Sequence, residues 1–300
     1  MVFAALPIDF KGVNVTPFAA YANIGSANRG ATLAGFQGVN SSGSEGIRGY
    51  WGGAAATITA LDNFKIMADF NYGKITYNNQ SATNKANAGR SGWLADIAVD
   101  YTGFKMMTPS LFAVYSTGEK GNSTDGDKSG RMPVVASPQN WAVGSFFFGD
   151  RNFISRTSPG SSTDRSMGFW TVGASLKDMT FIDKLSHTAH LLYARGTNDK
   201  NFLNENTGAD LTATGFNGAL YGRVLTTKDS LWEVDFNTRY MIYDELSIML
   251  DLGYINTNFD KSVWNNSNSA STSALQTKND INQYGNQDAY RIAVGLNYNF

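Results

Sequence analysis

Read in twos, the chain alternates. Along Tyr290–Phe300 every second residue is large and apolar or aromatic (Tyr290, Ile292, Val294, Leu296, Tyr298, Phe300), and the residues between are small, polar or charged. A period of two gives a strand with two chemically different faces. The same design recurs upstream. Trp93, Ala95, Ile97, Val99 and Tyr101 alternate with residues that include Asp96 and Asp100. Trp232, Val234, Phe236, Thr238, Tyr240 and Ile242 alternate with Glu233, Asp235, Asn237 and Arg239. Phe64, Ile66, Ala68, Phe70 and Tyr72 oppose Lys65, Asp69 and Asn71, and Leu246 to Tyr254 oppose Ser247, Asp251 and Gly253.

Ten strands are predicted, over about 13–25, 49–61, 64–75, 92–101, 107–117, 166–177, 187–197, 231–242, 246–257 and 290–300. Three have no clear phase: 13–25, 107–117 and 187–197. Pro17 favours an edge or bulge position for the first, because proline cannot donate to a ladder. The strand at 49–61 is built of small residues, which suits a subunit contact or a tightly curved strand equally.

The connections alternate as well. Those after the second, fourth, sixth and eighth strands are short; those after the first, third, fifth, seventh and ninth are long. One end of short turns and one of long loops is the layout of a transmembrane β-barrel. The apolar faces agree, with aromatics at both ends and aliphatics between, as at two membrane interfaces. The expectation is an all-β, antiparallel transmembrane barrel in a single domain over 1–300, with short periplasmic turns and long extracellular loops. The stretch 118–165 is too long for an idle loop and mixes charge with Phe and Trp, which makes it a candidate for folding into the lumen.

Composition narrows the class. Charged residues make up 16% and aromatics 13% of the 300 residues. A soluble domain has roughly 25% charged residues. Mean hydropathy is −0.27, and no run of about 18 apolar residues offers a membrane helix. A net charge of −1 gives no footprint for nucleic acid. Without cysteine there is no disulfide, thiolate nucleophile or Cys-based metal site. The start, M-V-F-A-A-L-P-I-D-F-K, lacks a basic region and a cleavage site. The expectation is therefore a mature chain or one whose beginning is missing.

Charge location follows from cost, since Lys or Arg on a lipid face at midplane costs about 2–4 kcal/mol. Lys65, Asp69, Asp96, Asp100, Glu233, Asp235, Arg239, Asp251 and Arg291 are therefore predicted to line the lumen, with Arg195 a further candidate. Arg131, with Asp125, Asp127 and Lys128 on the long loop, is predicted to form the constriction opposite Arg239 and Arg291. His187 and His190 lie three apart, on opposite faces of one strand, and cannot share a metal. No serine sits in a G-x-S-x-G context, and D-G-D at 125–127 lacks the spacing of a calcium loop. No enzyme, cofactor or metal is expected.

The terminal aromatic preceded by alternate apolar residues resembles the assembly signal of Gram-negative outer-membrane proteins. S-T-G-E-K, S-G-R-M-P-V-V-A, W-A-V-G-S-F, L-W-E-V-D-F-N and Y-D-E-L-S-I-M-L-D-L-G-Y-I-N-T-N-F-D-K, with the final strand, resemble the trimeric outer-membrane porins of the Desulfovibrio type. The resemblance implies a homotrimer in the outer membrane that passes small hydrophilic solutes, with a long constriction loop. Its partners would be lipid, lipopolysaccharide and the outer-membrane assembly machinery. Such porins have about sixteen strands, so ten would leave this chain as the C-terminal part of a longer porin, or with a miscalled start. The alternative is a non-conducting structural or adhesive barrel that binds partners through its long loops.

Overall fold

The computed structural model describes residues 1–24, 47–77, 90–118, 120, 130, 132–133, 168–200, 225–261, 286 and 288–298. They build one antiparallel sheet. Its strands are β1 Val2–Ala5, β2 Ile8–Phe10, β3 Val13–Ile24, β4 Ile47–Ile58, β5 Phe64–Tyr77 and β6 Arg90–Tyr101. They continue as β7 Thr108–Ser116, β8 Phe169–Ile182, β9 Leu185–Gly196, β10 Ser230–Met241, β11 Leu246–Asn258 and β12 Ala289–Tyr298. Each strand from β3 onward pairs with its sequence neighbour, and β1 and β2 both pair with β3. All ten predicted strands are present.

The N-terminal segment departs from expectation. Residues 2–10, assigned no element from the sequence, form an additional stave in two pieces that keep one register on β3, from Val2↔Tyr21 to Phe10↔Val13. Pro17 explains the interruption. It has no N–H, and the ladder breaks opposite it, at Leu6–Pro7, where only Leu6 N donating to Pro17 O (3.0 Å) crosses. Pro17 thus sits in an interior strand, not at an edge. The same pairing removes 13–25 as a partner that could close the sheet onto β12, since β3 is occupied on both sides. Among the described residues the sheet is open, and β12 pairs with β11 alone.

Loop lengths alternate as predicted. The short connections are 11–12, 59–63, 102–107, 183–184 and 242–245, and the long ones lie at the other end. The turn at Gly12 needs glycine twice over: its φ is +74°, and a Cβ there would come within 2.8 Å of Ala60 Cα. At 183–184 two residues close the hairpin, with Lys184 at φ 62°.

Register fixes the phase of the strands that the sequence left ambiguous. On β7, Leu111 and Tyr115 share one face, and Ser110 and Ser116 share the other, buried one. Gly173 on β8 makes room for this, because a Cβ there would meet the Phe112 ring at 2.3 Å. On β9, Leu191 and Tyr193 face with Trp232 and Val234 of β10, while His190 faces with Asp235.

Candidate channel lining

The two faces of the sheet invert the usual globular rule. Large apolar side chains are exposed, among them Leu111 (66%), Ile292 (75%) and Leu296 (71%), whereas Glu233 (0%), Asp235 (1%) and Asp251 (3%) are buried. Exposed apolar surface on this scale marks a face that meets something other than water, and buried charge demands partners on the opposite face.

The apolar face is banded. At the long-loop end an aromatic row runs from β3 to β12. Tyr21 contacts Tyr50 (5.2 Å between centroids), Trp93 stacks on Tyr115 (4.7 Å), Trp170 meets Tyr193 (5.4 Å), Tyr193 meets Trp232 (4.8 Å) and Tyr254 meets Tyr290 (5.0 Å). At the short-turn end a second band includes Phe64 against Tyr101 (5.2 Å) and Tyr101 against Phe104 (5.0 Å), with Tyr240 and Tyr298 exposed further along the sheet. Between the bands lie aliphatics such as Ile97, Val172, Leu250 and Val294. From Tyr290 to Tyr298 the strand advances about 26 Å, or about 20 Å once tilted by about 40°, close to the height of an outer-membrane apolar band.

The polar face collects the predicted lining residues. Lys65 pairs across to Asp100, Asp69 to Asp96, Asn237 to Asp251, and Gly253 to Arg291. Glu233, Asp235 and Arg239 share that face of β10, and Arg239 Nε donates to the buried Ser247 Oγ (3.1 Å). All nine predicted residues therefore stand on one face, six acidic and three basic. Lys177, not singled out from the sequence, adds a cation there. Its Nζ forms an ion pair of 2.8 Å with Asp100. Arg195 does not belong to this group. It stands on the aromatic face opposite Trp170, and its guanidinium donates to Thr227 O (2.8 and 3.1 Å).

His190 is the other omission. It lies on the polar face, with Ser175 Oγ 2.7 Å from Nδ1, while His187 lies on the apolar face, stacked on Phe236 (5.2 Å) and hydrogen-bonded to Thr238 (2.9 Å). Opposite faces for the two histidines were legible from their spacing. The proximity to Ser175 was not, since it depends on the pairing of β8 with β9.

Part of the long loop rests on the polar face. Trp51, buried on β4, donates from Nε1 to Pro133 O (2.8 Å). Gly73 leaves room for both: a Cβ there would lie 2.8 Å from the indole and 3.0 Å from Pro133. Gly92 does the same for Gly130 O, which a Cβ would approach to 2.2 Å. The predicted constriction residues Arg131, Asp125, Asp127 and Lys128, and the terminal Phe300, lie outside the described residues. Tyr290, Ile292, Val294, Leu296 and Tyr298 form the exposed apolar face of β12.

At the long-loop end, buried Asn198 ties two connections together, its Nδ2 donating to Gly168 O (3.1 Å) and Leu225 O (2.7 Å). Among the described residues no group of three His, Asp or Glu is arranged to hold a metal ion.

No protein-family model and no curated protein matches the chain. Solved structures similar to it include OccAB4 of Acinetobacter baumannii, at 10% identity and a TM-score of 0.45, with 99% of this chain and 52% of that one covered. The outer membrane channel DcaP of Acinetobacter baumannii gives 12% and 0.44, covering 99% and 61%. The NanC porin gives 8% and 0.36, covering 96% and 94%. The chain spans 52% of the first of these structures and 61% of the second.

Proposed function

We propose that the chain is a transmembrane barrel of the Gram-negative outer membrane, or the larger part of one, and works as a porin. It would allow passive diffusion of small hydrophilic solutes and ions past the polar face. The observation that carries this reading is the banded apolar face: two aromatic rows about 20 Å apart along the membrane normal, near the height of an outer-membrane apolar band, backed by a face of buried charge. A soluble sheet gains nothing from exposing that band, whereas in lipid it is the stable arrangement.

Within this reading Lys65, Asp69, Asp96, Asp100, Glu233, Asp235, Arg239, Asp251 and Arg291 line the channel, and 118–165 narrows it. The seating of Gly130 and Pro133 on Gly92 and Trp51 supports that role for the loop, with Arg131, Asp125, Asp127 and Lys128 as its charged part. Tyr290 to Tyr298 with Phe300 serve as the assembly signal. The functional unit is a homotrimer of the Desulfovibrio type, in contact with lipopolysaccharide. The test is single-channel recording of the purified protein in a planar bilayer. Stepwise conductance is expected. A folded, membrane-inserted protein that gives no steps would overturn the porin reading in favour of a structural barrel.

A further inference from the structure

One row of the polar face crosses adjacent strands without a break: Asp100 on β6, Ser110 on β7, Ser175 on β8, His190 on β9 and Asp235 on β10. It begins at Lys65 and continues past Gly253 to Arg291. At its centre Ser175 Oγ lies 2.7 Å from His190 Nδ1. Ser175, His190 and Asp235 are 3%, 7% and 1% exposed.

A Ser–His–Asp set invites a nucleophilic reading, but β8 is laddered on both sides at Ser175. That leaves no pair of backbone N–H groups to hold an oxyanion. The geometry suits proton binding better. A serine hydroxyl can donate to a neutral Nδ1 or accept from a protonated one, so the hydrogen bond survives either state. The carboxylate-bearing Asp235 lies directly across on β10, in the same row.

We propose that His190 determines the ion preference of the channel: it takes up a proton within the lumen and shifts permeation toward anions. This rests on the porin reading. Among the described residues, the three cations Lys65, Lys177 and Arg291 stand against the four carboxylates Asp100, Glu233, Asp235 and Asp251 on and beside the row, and a proton on His190 would offset the one carboxylate in excess. Among the described residues, the other groups on the face of His190 are Lys177 on β8, already paired with Asp100, Glu233 on β10, Asp251 on β11, and the neutral Ser186 and Thr188 on its own strand. The chain has two histidines, and His187 points away from the row, which supplies an internal control. Asp69 and Asp96, cross-strand partners of like charge, are a second inward site for a proton among the described residues.

The experiment is the reversal potential in a KCl gradient across a planar bilayer, between pH 7.5 and 5.0. It compares wild type, His190→Gln, His187→Gln and Asp96→Asn. Wild type, His187→Gln and Asp96→Asn should gain roughly three- to thirtyfold in chloride-over-potassium permeability on acidification, since one charge about 4 Å from a path of water-like dielectric acts on each ion by up to about 1 kcal/mol, with opposite sign on the two. His190→Gln should lose that step. A step retained in His190→Gln, or lost in Asp96→Asn alone, overturns the proposal. Channels with no pH step leave the porin reading standing and sink this one. A protein without channel activity defeats both. Imidazole ¹⁵N resonances of His187→Gln in micelles, where one histidine remains, report proton uptake independently. An imidazole that stays neutral down to pH 5.0 also overturns the proposal.

Discussion

Phe236 and Asn237 are neighbours on β10 at the same depth, on opposite faces, and together they measure the sidedness of the sheet. Phe236 lies four residues from Trp232 and four from Tyr240, hence at the middle of the apolar band. An arginine there faces hydrocarbon at a cost of about 2–4 kcal/mol. The substitution also removes the stacking of His187 on Phe236, at 5.2 Å and 25°, worth about 0.5–1.5 kcal/mol. Phe236→Leu removes only the second contribution. The difference between Phe236→Arg and Phe236→Leu should therefore be about 2–4 kcal/mol, roughly 30- to 1000-fold in the folding equilibrium. Asn237→Arg places the same cation on the polar face, directly across from Asp251, where it meets a carboxylate instead of hydrocarbon and should destabilise less than arginine at 236. The assay is reversible urea unfolding in lipid vesicles, followed by tryptophan fluorescence. Equal destabilisation by arginine at 236 and 237, or a Phe236→Arg variant no less stable than Phe236→Leu, would refute the assignment of faces.

Trp51→Phe keeps an aromatic ring, smaller than the indole, and loses the donor to Pro133 O; single-channel conductance should rise as the loop segment loosens, and unchanged conductance would count against a narrowing role for that seat. Asn198→Ala deletes two buried hydrogen bonds and should lower stability by about 1–3 kcal/mol, read as a lower midpoint in the urea assay. Asp288, just before β12, accepts from the Tyr254 hydroxyl (2.7 Å) and the Asn256 amide (2.6 Å), and these bonds hold its carboxyl below the usual carboxylate range. Its stabilising contribution is present above the ordinary carboxylate pKa and fades as pH falls through the depressed one. Acid titration of the unfolding midpoint should show that loss in wild type, and Asp288→Asn should flatten it.

Much of this protein is local, and so legible in the residues. A strand turns alternate side chains to opposite faces whatever its partner, so the period of two along 92–101, 231–242 and 290–300 already sorted Asp96, Asp100, Glu233, Asp235 and Arg291 from the aromatics. The spacing of turn signals gave the short and long ends, and the aromatic ends of each strand prefigured the two bands. Register is not local. It depends on which residue of the next strand is opposite, and on interruptions such as the irregularity after Leu176, where Asp178 takes φ 54°. Only pairing could therefore bring Ser175 of β8, His190 of β9 and Asp235 of β10 into one row, or seat Lys177 on Asp100. Pairing also decided the fate of the first ten residues, whose pattern is broken by Pro7 and too short to read alone. They form a stave because β3 offers an edge, and they leave β12 with β11 as its one partner among the described residues.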